Sequence, residues 1–316
     1  MSESDGGCKR FFTIGCVGCL GLSALLIFIA VLSFGIAWYQ AQGVEVSHQE
    51  LTRDLTVPEV TVEEEATAEL PVEPSEAPAA GTVELELYQT EVEVRPGPPG
   101  EPIRVDARFD SSRYSLTEEF VEGDGEQGWT YRIAFRRSSR SSLIAGLKEL
   151  ISGSKPRVAV ILPRDVPFDL DLSVMQGGGE VELGGLWLTN VDVDFLQGGG
   201  HVEISEPLRA PAEQVRIGFS MGGGEVEGLG NASPRRLDIE FSMGGGDVDL
   251  RGAWSRDAEI TIDQSMGGAS VRLPSGVDIR GLDRPNALAS PGLDEVPRPV
   301  LTFDVSSQYG ELEFIN

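Results

Sequence analysis

Cysteine is nearly missing from this chain. Its 316 residues hold three, Cys8, Cys16 and Cys19, all within the first twenty. No disulfide can therefore staple the rest, which must be held by its own core. The Cys16-x-x-Cys19 spacing has no second ligand pair and sits in an apolar run, so it is expected to be packing rather than metal or redox chemistry. Cys8, next to that run, is a site where acylation is conceivable. Histidine is almost as scarce, with only His48 and His201. No nucleophile-elbow sequence accompanies them, so Ser-His-Asp and Cys-His arrangements lack their parts. Base is short too: 25 Lys and Arg against 51 Asp and Glu give a net charge of -26. A field of that sign repels nucleic acid and anionic lipid, and nucleic-acid binding is set aside. No Gly-Lys-Ser/Thr follows any glycine cluster, which removes a phosphate loop. The chain is expected not to be an enzyme and to need no cofactor.

What is present begins with an uncharged run from Phe11 to Trp38, 28 residues long. As a helix it would extend about 42 Å at ~1.5 Å per residue, enough for a ~30 Å hydrocarbon core. Lys9 and Arg10 precede it and the first charges after it are acidic. The positive-inside rule then predicts a cytoplasmic N-terminus (1–10), a single transmembrane helix (11–38) and an extracytoplasmic remainder, periplasmic or extracellular. A cleaved signal peptide is the rival, but its apolar core should be ~7–15 residues. Gly15, Cys19 and Ser23 share one helical face and could bring two copies of the helix together. Residues 39–80 are rich in Glu and Pro and are expected to form a disordered acidic tether.

Five glycine clusters follow, beginning at Gly177, Gly198, Gly222, Gly244 and Gly267, at intervals of 21, 24, 22 and 23 residues. Alternating apolar residues flank each one, such as Val215/Ile217/Phe219 before and Val202/Ile204 after. A repeat of this length with period-two alternation predicts an all-β fold, a β-solenoid with a pair of short strands per coil and glycine at one corner. Gln176, Gln197, Met221, Met243 and Met266 precede the clusters and should continue the inward face as a ladder. The repeats span 156–316, with an insert at 274–299 and a last degenerate coil at 300–316. Residues 81–155 read as β-strands plus one amphipathic helix on Leu143, Ile144, Leu147, Leu150 and Ile151, a cap for the first coil.

The stretch from Val158-Ala159-Val160-Ile161-Leu162-Pro163 through Asp169-Leu170-Asp171-Leu172 and the Gly-rich coils resembles the adhesin-like, toast-rack and LiaF-like β-solenoid domains of bacterial envelope proteins. The resemblance covers about residues 82–316. It implies a membrane-linked envelope protein, and through the LiaF-like members a possible part in envelope-stress signalling. It brings no catalytic residues.

Three classes of function remain open on the sequence: a membrane-anchored structural or interaction module with an envelope-protein partner, an envelope-stress regulator, and, remotely, a polysaccharide-acting enzyme on a β-helix scaffold. Two charged features stand out. Glu182, Glu203, Glu227 and Asp249 should fall in one outward file at ~4.8 Å spacing. Such a file could bind a hard cation such as Ca²⁺ weakly, or be a solvated face. Arg132, Arg136, Arg137, Arg140, Lys148, Lys155, Arg157 and Arg164 form a basic region. It could dock acids or lipid headgroups, or be the polar face of the capping helix.

Overall fold

The structure, a computed structural model, describes residues 27–33, 35, 46–54, 81–123, 128–138, 155–282 and 298–315. Its chain divides into two units: residues 1–46 with 139–154, and residues 47–138 with 155–316. Within the first unit, 27–33 and 35 are helical and exposed. Among the described residues no helix is long and apolar enough to cross a membrane. Most of the expected 11–38 span lies outside the described residues, as do Gly15, Cys19 and Ser23. The capping helix expected at 143–151 lies outside them too.

The second unit is all-β. In chain order its strands are β1 (Val46–Arg53, one residue of which belongs to the first unit), β2 (Gly81–Leu87), β3 (Thr90–Pro96), β4 (Ile103–Asp110), β5 (Tyr114–Val121), β6 (Thr130–Arg137), β7 (Arg157–Leu162), β8 (Phe168–Val174), β9 (Gly177–Glu182), β10 (Leu188–Glu203), β11 (Gln214–Glu227), β12 (Arg236–Asp249), β13 (Ala258–Arg272), β14 (Asp278–Arg280) and β15 (Val300–Ile315). All belong to one 15-stranded sheet. It is mixed: β4 with β7 and β5 with β6 are antiparallel, and the repeats pair in parallel.

The parallel part is a ladder of rungs. β8 and β9 together make one rung, because β10 pairs with β8 before its glycines and with β9 after them. β10, β11, β12, β13 and β15 follow in order, glycine cluster over glycine cluster. Here expectation and structure differ. From β10 onward each rung is one strand of 14–16 residues running unbroken through its glycines, rather than two short strands around a corner. The first glycine of each cluster takes the bend, with φ between 126° and 139° at Gly177, Gly198, Gly222, Gly244 and Gly267. Only glycine adopts that conformation freely. Packing demands it as well, since a Cβ on Gly222 would overlap the Gly198 carbonyl oxygen, and one on Gly244 the oxygen of Gly222.

This bend also corrects the expected inward ladder at the preceding position. Phe219 is buried, yet Met221 is 39% exposed, and Met243 and Met266 resemble it. Alternation ends at the residue before the glycine, so Met221, Met243, Met266 and Tyr309 stand in register on the outside.

On the N-terminal side, rung order departs from chain order. β2 and β3 form a rung lying directly against β8 and β9. β6 and β7 form the next rung out, pairing with β2 and β3 on their other side. Residues 157–162 therefore do not lead directly into the repeats in space, although they do so in sequence. Beyond them β4 and β5 close the ladder by antiparallel pairing, and β1 borders β4. That strand corrects part of the expected tether: Val46–Arg53 is ordered, with His48 Nε2 2.9 Å from Asp106 Oδ1 and Arg53 donating to Glu118 at 3.1 Å. Residues 55–80 lie outside the described residues. The insert at 274–299 likewise contains a strand, β14, paired with Val300–Thr302.

The core consists of columns. One runs Val160, Val94, Val181, Val202, Val226, Val248, Val271 and Phe314 through successive rungs. Another runs Phe135, Leu87, Val174, Phe195, Phe219, Phe241 and Gln264. The rings of Phe195, Phe219 and Phe241 stack, with centroids 5.4 and 5.3 Å apart and planes within 9°. Connections on the far side of the rungs are tied by side chains. Asn231 donates to the Ile204 carbonyl at 2.7 Å and accepts from the Ala253 amide at 3.1 Å, linking three successive connections.

Candidate functional site

The file that follows the glycines does form, with Glu182 beside Glu203 and Glu203 beside Glu227; Asp249 sits one residue past Val248, the partner of Val226. Its members do different things. Glu182 turns back on the main chain and accepts from the amides of Gly184 at 2.5 Å and Ser205 at 3.3 Å. Asp249 is nearly enclosed, its side chain 8% exposed, and is held by Arg251 and by Arg272 at 3.2 Å. Burial pushes the Asp249 carboxyl up, but the hydrogen bonds from Arg251 and Arg272 outweigh that and leave it below the usual carboxylate range. Glu203 and Glu227 remain part-exposed. His201, in the rung of Glu203, lies 3.8 Å from it and 3.4 Å from Glu225. Among the described residues no group of three or more His, Cys, Asp or Glu side chains is placed to hold a metal ion.

The basic region is distributed rather than pooled. Arg132 lies 2.5 Å from Glu84, Arg157 2.5 Å from Glu93, Lys155 3.4 Å from Glu91 and Arg164 2.7 Å from Glu206, and Arg136 pairs with Glu86. These are ion pairs on an outer surface, between neighbouring rungs except for Arg164 and Glu206, which lie in the connections after β7 and β10, and exposed pairs of this kind add little to stability. Arg140 and Lys148 lie outside the described residues.

A second charged column, on the strand halves before the glycines, escaped sequence reasoning. Arg132, Glu84, Asp171, Asp192, Arg216 and Asp238 are in register across six rungs. A signal was available: Asp171, Asp192, Arg216 and Asp238 each lie six residues before the first glycine of their cluster. Carboxylates outnumber guanidiniums at its centre. Desolvation, then the charges of Asp192 and Glu84, push the Asp171 carboxyl up. In the adjoining column desolvation likewise raises Asp194, against the opposing pull of Arg216. Arg216 is the central clamp, 3.5 Å from Asp192, 3.9 Å from Asp194 and 3.7 Å from Glu240. Asp194 leans over Gly218, where a Cβ would strike its Oδ1.

Compared with known proteins, the chain matches no family and no curated protein. Among solved structures it is similar to a candidate cell adhesion protein from Clostridium sporogenes, with 10% identity, 85% of this chain and 99% of that one covered, and a TM-score of 0.40. A candidate adhesin from Bacteroides fragilis follows at 9% identity, 85% and 97% coverage and a TM-score of 0.37. A candidate lipid-binding protein from Parabacteroides distasonis has 8% identity, 87% and 98% coverage and a TM-score of 0.27.

Proposed function

We propose that this chain is a membrane-anchored envelope protein whose β unit is a β-solenoid, standing outside the membrane as an interaction module for another envelope protein. The observation that carries the reading is the registered ladder. It fixes outward side chains in columns, among them Arg132 to Asp238 over six rungs and Met221 to Tyr309 over four. Such columns offer a partner a preorganised surface at small entropic cost. Anchoring is supported by the uncharged Phe11–Trp38 run behind Lys9 and Arg10.

Two measurements on the full chain test this. Protease added outside spheroplasts should remove the β unit and leave a small membrane-bound fragment. A mature N-terminus beginning after Gly43 would overturn the anchor. Crosslinking in intact cells followed by capture should recover an envelope protein. Recovery of a membrane sensor kinase would turn the reading toward signalling, and retention of capture after charge reversal along the Asp171–Asp238 column and Met221/Met243 replacement would remove the ladder from the contact.

A further inference from the structure

Every methionine after Met1 stands outside the core. Met175, Met221, Met243 and Met266 are between 39% and 45% exposed, and no methionine is buried among the described residues. Methionine ordinarily ranks with Leu and Phe among the residues most often enclosed. Three of the four recur in one local sequence: Ser220-Met221-Gly222, Ser242-Met243-Gly244 and Ser265-Met266-Gly267. Met221 pairs with Met243, and Met243 with Met266, so the three occupy one column on successive rungs. On the N-terminal side the column continues as Gln197, whose amide oxygen accepts from Gln176 at 2.6 Å. A thioether is only a weak acceptor and donates nothing, so it makes no such tie. The three methionines thus neither fill the core nor link the rungs.

We propose that Met221, Met243 and Met266 form a binding site for a single Cu(I) ion, held by their three thioether sulfurs. Neighbouring strands lie ~4.8 Å apart, which sets the outer two of these three rungs roughly 10 Å apart. Each sulfur rides on an unbranched chain with three rotatable bonds. The outer two can therefore lean toward the middle one and meet it over one point. The serine before each methionine and the glycine after it are small, which leaves that point open along the strands. Neutral, soft sulfur donors select Cu(I), whereas hard cations such as Ca²⁺ and Mg²⁺ take oxygen ligands. The chain's charge of -26 raises the local concentration of any cation. Binding releases no proton, because a thioether carries none, unlike Cys and His ligands that must first be deprotonated. Affinity at this site should therefore be nearly the same at pH 5 and pH 7.

The test uses the full chain in a neutral detergent, with Cys8, Cys16 and Cys19 replaced by serine so that no thiol competes. The probe is Ag⁺ added as its nitrate, an ion of the same charge and softness as Cu(I) that undergoes no redox change. With isotope-labelled methionine methyl groups, the signals of Met221, Met243 and Met266 should move together and saturate at one equivalent, at pH 5 as at pH 7. Those of Met1 and Met175 should stay in place. In calorimetry, combining Met221→Leu, Met243→Leu and Met266→Leu, a volume-conserving change, should weaken binding about tenfold or more. Met175→Leu should leave it unchanged, and excess Ca²⁺ should not displace the ion. Three signals that stay still, five that move in step, a site lost at pH 5, or undiminished affinity in the triple variant overturns the proposal. If the triple variant loses the parent's far-UV circular dichroism, the methyl signals of the parent decide alone.

Discussion

The Phe219 ring occupies the place where Gly224 would carry a Cβ. An added carbon there would fall onto the ring's Cζ and Cε atoms, and Phe195 stands over Gly200 in the same way. In these two clusters the third glycine is thus required by a ring five residues earlier, whereas a Cβ on Gly246 would strike the Gly224 backbone instead; the first glycine is required by its backbone angle. The β13 rung changes both partners: Gln264 replaces the ring and Ala269 replaces the glycine.

Gly224→Ala should therefore destabilise the β unit by about 1–3 kcal/mol, the usual cost of overpacking a close-packed core. The Phe219 ring cannot step aside, because Phe195 and Phe241 stack on its two faces. Phe219→Leu combined with Gly224→Ala should recover part of the loss. Denaturant midpoints of the two single variants and the double would show a favourable coupling energy; strict additivity would disprove the ring–glycine link.

The same rule makes a stabilising pair. Gln264 is 1% exposed, and neither its amide nitrogen nor its amide oxygen has a hydrogen-bond partner among the described residues. Gln264→Phe with Ala269→Gly should extend the stacked rings by one and remove a buried amide, raising stability by about 1–2 kcal/mol. Gln264→Phe alone should give no gain, because Ala269 keeps its Cβ where the ring must lie. Thermal melts of the three proteins decide it.

Adjacent residues on opposite faces should differ sharply. Phe241→Ala opens a cavity in the ring stack and should cost roughly 3–5 kcal/mol. Glu240→Ala loses a 3.7 Å contact with Arg216 on the outer face and should stay within about 0.5 kcal/mol. Urea unfolding of both variants is the check, and a more damaging Glu240→Ala would invert the assigned register.

Acid titration should pull in two directions. Asp171 and Asp194 have carboxyls raised on folding. Their contribution is fully present below the unfolded value and is lost as pH rises through the folded one. Asp249 and Glu213 are lowered. Their contribution is present above the unfolded value and is lost as pH falls through the folded one. Stability should thus rise on moderate acidification from neutrality and then fall in stronger acid. Asp171→Asn should raise the melting temperature at pH 7 and lose that advantage toward pH 4. Asp249→Ala should destabilise by about 1–2 kcal/mol at neutral pH, where Glu203→Ala changes little, and its penalty should fade in strong acid.

Much of this was legible in advance. Period-two alternation around glycines spaced by about 22 residues gave the parallel register, the inward Val, Ile, Leu and Phe positions and the stacking of Phe219 on Phe241. Met221 and its equivalents were misplaced because alternation assumes uniform strand geometry, which a glycine at φ near 130° breaks. The rung order of β2, β3, β6 and β7 could not be read at all. Neighbours in a sheet are chosen by edge complementarity, which strand periodicity does not encode. Register aligned the acidic file, but Asp249, expected to face outward, is buried, and the roles of the members depend on which neighbours reach them. For Asp249 these are Arg251 and Arg272, and the second comes from the next rung.

That non-sequential order has a consequence for assembly. β2 and β3 are made before any other rung, yet they end in the interior of the ladder, flanked on both sides by strands synthesised later. The growing chain must keep two open edges unoccupied until β6 and β7 claim one and β8 and β9 the other. Growth then proceeds outward from an early seed in both directions: it stops at the antiparallel β4 and β5 on one flank and continues repeat by repeat on the other. A polypeptide halted before β8 would be fenced on one flank only, and its bare β2–β3 edge would be the surface most in need of a chaperone.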